Sequence, residues 1–135
     1  SGDLEGALIE AKAAAQRLSP IPPLRAFALG VLARVHLLRG EGEAAVSAAR
    51  DGMDLLLSTG GMEEGESLIR LSYAEALAAA LETDAARRAL KEALDRLRAR
   101  AARIADPVLR ESFLTNVPEN ARTLELYDAL SRGSS

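Results

Sequence analysis

Apolar residues recur along this chain at the three- and four-residue spacing of helices, and nowhere alternate for long enough to build a strand. Ala7, Leu8, Ala11 and Ala14 share one side of a first segment, read as a helix over 3–18. Ser19 to Pro23 stops it, and the prolines suit the opening turn of a second helix, where no amide donor is needed. That helix runs from about Pro23 to Leu38, and Gly40 gives the turn a permissive backbone. A third is expected over Gly42 to Ser58, followed by a Gly-rich break reaching Glu66. A fourth covers Glu66 to Leu81, and a fifth, the longest, covers Asp84 to about Ile104 with Thr83 as its N-cap. Asp106-Pro107 opens a short sixth helix, and Val117-Pro118 opens a last one ending near Leu130.

The helical segments repeat. GDLEGALIEAKAA from Gly2, GEGEAAVSAARDG from Gly40 and LETDAARRALKEA from Leu81 share one arrangement of small residues. Ala7, Ala45 and Ala86 mark it, 38 and then 41 residues apart. A helical repeat of that length predicts an all-α solenoid of stacked hairpins, with about seven helices in the chain. In a solenoid each unit buries its apolar face only against its neighbours, and the stack offers an extended concave surface for other chains.

Two segments carry a family resemblance. LARVHLLRGEGEAAVSAARDGM, from Leu32 to Met53, resembles a tetratricopeptide (TPR) repeat, with Leu32, Ala33, His36, Gly40, Ala45, Ala49 and Gly52 at the characteristic places. Tyr73 to Leu94 repeats the scheme with Tyr73, Ala74, Leu77, Ala86, Leu90 and Ala93. This second unit has Leu81 where the first has its turn glycine. Neither unit has the usual Trp or closing Pro, and both periods exceed the family's about 34 residues. The longer, Ala/Leu-rich form is similar to the TPR regions of large bacterial signalling proteins, among them ATPase-domain regulators and serine/threonine kinases with C-terminal repeats. The tail from Arg103 to Leu126 resembles the extreme C-terminal end of such proteins.

The resemblance implies one TPR-like domain over 1–135, an all-α right-handed solenoid of antiparallel helical hairpins, divided into a half repeat (3–18), two hairpins (23–58 and 66–105) and C-terminal capping helices (107–131). It implies a fragment of a longer protein, acting as a non-catalytic scaffold that binds a partner peptide or helix on its concave face. The alternative is an oligomerisation or spacer module of a multidomain kinase or ATPase regulator. Carried onto matching positions, the groove includes Phe27, Gly30, Arg34, Leu37 and Leu38 of the first hairpin. From the second come Leu68, Leu71, Glu75, Ala78 and Ala79. The competing reading packs Leu37, Leu38, Leu68 and Leu71 between hairpins and leaves Arg34 and Glu75 as solvated charges. The first helix, lacking its own partner, is expected to leave the Ala7, Leu8, Ala11, Ala14 stripe half uncovered, which would allow a homodimer through that helix.

Composition narrows the chemistry. Nearly half of the 135 residues are apolar but only Phe27, Tyr73, Phe113 and Tyr127 are aromatic, so the core must be Leu, Ala and Val. A net charge of −3 argues against general affinity for nucleic acid, which needs many phosphate-neutralising cations. On the fifth helix Arg96, Arg100 and Arg103 share a face, but Arg88–Glu92, Lys91–Asp95 and Glu92–Arg96 are spaced as a solvated ridge. No aromatic lies among those cations for bases to stack on. His36 is the one histidine and stands where the family places a packed aromatic, so a structural role is expected. With no cysteine and no second histidine, neither a metal centre nor a cofactor is expected. Glu63, Glu64 and Glu66 crowd the Gly-rich loop without the alternating ligands of a calcium loop. RGEGE around Gly40 has no preceding strand and no lysine, so it does not read as a phosphate cradle. No apolar run reaches the ~18 residues of a membrane span, and the expected location is cytoplasmic.

Overall fold

The computed structural model describes residues 2–62 and 65–132. These form seven α-helices and no strand: α1 (Gly2–Arg17), α2 (Pro22–Leu38), α3 (Gly42–Ser58), α4 (Glu66–Ala79), α5 (Thr83–Ala102), α6 (Pro107–Thr115) and α7 (Pro118–Arg132). The all-α class is therefore as the apolar spacing implied. Prolines occupy the first turns of α2 and α6, and Asp106 caps α6 by accepting hydrogen bonds from the amides of Val108 (2.8 Å) and Leu109 (3.3 Å).

One expected cap is corrected. Thr83 is the first residue of α5 and Glu82 holds the N-cap place, with no side-chain hydrogen bond. The reason lies in the preceding turn, which also ends α4 at Ala79. Leu81 adopts a left-handed backbone with φ +64°, its amide donates to Ala78 and the Glu82 amide donates to Leu77. This closure fixes Glu82 one residue ahead of Thr83.

The turn after α2 is built the same way. Gly40 has φ +77°, its amide donates to Leu37 and the Glu41 amide donates to His36. Gly40 and Leu81 are 41 residues apart, the separation of Ala45 from Ala86. The two turns thus share backbone conformation and hydrogen bonding although one uses glycine and the other leucine.

Packing follows chain order. α2 lies against α1, α3 and α4; α4 lies against α2, α3, α5 and α7; and α7 lies against α4, α5 and α6. The arrangement of α4 on α2 and α3 therefore recurs as α7 on α4 and α5. Small residues set the close approaches. A Cβ on Gly52 would stand 3.2 Å from the Ala26 carbonyl oxygen and 3.4 Å from Leu29 Cβ. Ala33, Ala45, Ala49, Ala74 and Ala86 have no exposed surface, and Leu56, Ile69, Leu77, Leu90 and Leu94 fill the space between helices. Each such buried Leu or Ile contributes roughly 1.5–3 kcal/mol by leaving water.

The α1 stripe is more covered than expected. Leu8 and Ala11 are buried because α2 folds over them, whereas Ala7 and Ala14 remain half-buried.

Candidate functional site

Three helices, α2, α4 and α7, each touch the next and carry a ladder of alternating charge. Arg34 on α2 pairs through Nη1 with Glu75 Oε1 on α4, and Arg122 on α7 approaches Glu75 Oε2 with its Nε at 3.4 Å. Glu75 is largely buried between two guanidiniums that are each close to half exposed. A carboxylate held by two cations is positioned more firmly than either exposed pair would be alone. α7 is fixed on α4 and α6 by further contacts. Ser67 Oγ donates to Asn120 Oδ1 (2.6 Å), and Asn120 Nδ2 donates to the Phe113 carbonyl (2.9 Å). Asn120 is buried, and these bonds satisfy both ends of its amide.

Two turns before Arg34 and Glu75, at Phe27 and Leu68 on the same helices, is a hollow of about 290 Å³ whose lining also includes Phe113, Val117, Arg100 and Glu119. Phe27 is 41% exposed there. The Arg100 guanidinium carbon lies 5.8 Å from the Phe113 ring centroid, a cation–π distance.

The structure divides the expected groove residues. Phe27 and Leu68 meet in the hollow, and Arg34 meets Glu75. Gly30 is buried, with Ile69 and Ser72 of α4 against it, and Leu71 is buried at 1% exposure, so both are packing positions. Leu37 and Ala78 are half-buried on the core, whereas Leu38 (72%) and Ala79 are exposed. Arg122, Asn120, Phe113 and Val117 join the site from the tail, where no local spacing marked them.

Comparison with protein-family models, curated proteins and solved structures finds no match for this chain.

Glu66 belongs to a different structure from the loop cluster suggested by the sequence. Its side chain is 2% exposed and accepts from Arg70 Nε (2.8 Å), Arg96 Nε (2.8 Å) and the Met62 amide (3.0 Å). Burial pushes its carboxyl up, but the hydrogen bonds from Arg96, Met62 and Arg70 prevail and hold it at about 2. The group ties the loop after α3 to α4 and α5. Glu63 and Glu64 lie outside the described residues. Arg96 is thereby drawn to Glu66, and Glu92 faces Arg70 at 3.7 Å. The Lys91–Asp95 pair forms at 2.7 Å.

His36 is buried and its Nδ1 lies 2.9 Å from Glu41 Oε1. Arg39 joins Glu41 (3.0 Å) to Glu5 on α1 (2.9 Å). Hydrogen bonds from His36 and then Arg39 hold the Glu41 carboxyl below its usual range. Among the described residues no three His, Asp or Glu side chains converge as a metal site, and no helix is long and apolar enough to cross a membrane.

Proposed function

We propose that this chain is a TPR-like repeat scaffold, non-enzymatic in itself, whose inner face of α2, α4 and α7 binds a helix or peptide of another protein. The observation that carries this reading is the Arg34–Glu75–Arg122 ladder across three successive helices, two helical turns beyond a hollow that mixes Phe27, Leu68 and Phe113 with polar side chains. An amphipathic helix with both signs of charge fits such a face, its apolar side on Phe27 and Leu68. Two close approaches support antiparallel hairpins as the unit. Gly52, late in α3, meets Ala26, early in α2, and Gly42 at the start of α3 meets Ala79 at the end of α4. The matched turns at Gly40 and Leu81 support a true repeat. On this reading the chain serves a larger cytoplasmic bacterial signalling protein, a kinase or ATPase regulator.

The test is to pan a peptide-display library against the chain and measure the selected peptides on Phe27→Ala and Arg34→Glu variants. Both side chains are substantially exposed, so the fold tolerates the changes and a thermal melt verifies it. Loss of at least about tenfold in affinity, worth 1.4 kcal/mol, is expected for each. Selected peptides that bind both variants as tightly as the unchanged chain contradict the proposal.

A further inference from the structure

α6 is held differently from the other helices. It has no buried residue, whereas every other helix contributes some to the interior. It lies against α5 and α7 only. Val108 and Leu109 are 76% and 61% exposed, and its most covered apolar residues, Phe113 and Leu114, are half-buried. An element with so little buried surface is one that opens locally while the rest of the fold stays intact.

Most of its side-chain hydrogen bonds are internal. Asp106 caps it, and Arg110 donates from Nε to the Ile104 carbonyl (2.9 Å) and from Nη2 to the Ala105 carbonyl (3.2 Å). Thr115 Oγ1 donates to the Glu111 carbonyl (2.8 Å), and Asn116 Nδ2 to Ser112 Oγ (3.0 Å). All these partners lie within 104–116, so the helix keeps them when it moves. Phe113 is what ties it outward: its carbonyl accepts from Asn120 on α7, and its ring faces the Arg100 guanidinium on α5. α7 has moorings of its own on α4, Asn120 to Ser67 and Arg122 to Glu75, and gives up only the Asn120–Phe113 bond when α6 leaves. Ile104 and Ala105 before α6, and Asn116 and Val117 after it, lie outside the helices and can absorb the change of direction.

Phe113 is also the side chain that α6 brings to the hollow shared with Phe27 and Leu68. We infer that α6 is a strap that swings away as a unit and, by withdrawing Phe113, opens the Phe27–Leu68 end of the inner face to an apolar side chain of a partner. The swing needs no partner; its role as a gate rests on the inner-face reading.

Hydrogen exchange of the intact 135-residue protein at several low urea concentrations tests the swing. Amides of 110–116 exchange at least about a hundredfold faster than those of α4 and α5, at a rate nearly independent of urea. Phe113→Ala speeds them by a further factor of about ten or more and leaves α4 and α5 unchanged, whereas Leu109→Ser, on the exposed side, alters neither. An α6 that exchanges with the rate and urea dependence of α5 overturns the strap. For the gate, a peptide selected on the inner face binds Phe113→Ala at least about threefold more tightly than the parent, because more of the protein stands open. Equal or weaker binding makes Phe113 a fixed wall of the hollow and overturns the gate. Failure to select any inner-face peptide removes the gate together with the reading it rests on, while the exchange rates decide the strap by themselves.

Discussion

Leu81 is the left-handed residue that the turn after α4 requires, and it should be replaceable with a gain in stability. A non-glycine residue in that conformation costs about 1–2 kcal/mol. The side chain returns little, since it is 85% exposed. Leu81→Gly removes the backbone penalty, and against this stands about 0.5–1 kcal/mol for the greater freedom of glycine in the unfolded chain. The net gain is about 0.5–1 kcal/mol, or roughly 2–4 °C in melting temperature for a domain of this size. Gly40→Ala supplies the mirror case. Nothing lies within 4 Å of the added Cβ, so the change isolates the backbone effect at φ +77° and should destabilise by about 1 kcal/mol. Thermal and urea unfolding of both variants beside the parent measure the two numbers. A Leu81→Gly protein no more stable than the parent, together with a harmless Gly40→Ala, would refute the reasoning that both turns need the left-handed backbone.

Glu66→Gln leaves Arg70 and Arg96 without their shared carboxylate and should destabilise by about 2–3 kcal/mol, Arg96 being half exposed and able to rehydrate. Because the Glu66 carboxyl is depressed to about 2 from 4.5, its contribution is complete above 4.5 and disappears as pH falls toward 2. Urea unfolding at stepped pH should therefore show parent and variant converging in that window; a constant gap would count against it. Arg34→Glu sets two acids against each other on the ladder and should lower stability by up to about 1 kcal/mol. Adding Glu75→Arg should rescue it only in part, because Arg122 then meets like charge, and adding Arg122→Glu should complete the rescue in a mutant cycle. Gly52→Val forces α3 away from the Ala26 carbonyl and should cost about 1–3 kcal/mol by chemical unfolding; an unchanged midpoint would show that the two helices are not held that closely.

The helices were legible because proline, glycine and apolar spacing act locally. Pro22, Pro23 and Pro107 mark helix starts wherever the rest of the chain lies, and α3 has the bounds expected for it. The left-handed residue at position 81 was harder to read, since leucine gives no local sign of a conformation that the helix end imposes. Alanine 45 and alanine 86 report close helix contacts because only small side chains fit there. Contacts over long separations left no such trace. Glu66 reads as a loop acid until α5 brings Arg96 to it across 30 residues, and Arg122 reads as a tail charge until α7 settles beside Glu75. Of the residues expected to line a groove, Phe27 meets Leu68 and Arg34 meets Glu75, as two separate pairs. Helix position alone does not distinguish a surface residue from one that the next helix covers, as α4 covers Gly30 and burial takes Leu71.

The absence of cysteine makes one crosslinking measurement clean. Cysteines are introduced in pairs at 34 and 75, at 75 and 122, and at 34 and 122, and each protein is treated with a short bis-maleimide. Adjacent helices lie about 8–10 Å apart, so two steps span roughly twice that. Successive stacking of α2, α4 and α7 predicts rapid intramolecular linkage of the first two pairs and none of the third. Equal linkage of all three pairs would place the helices around a common centre and contradict the account.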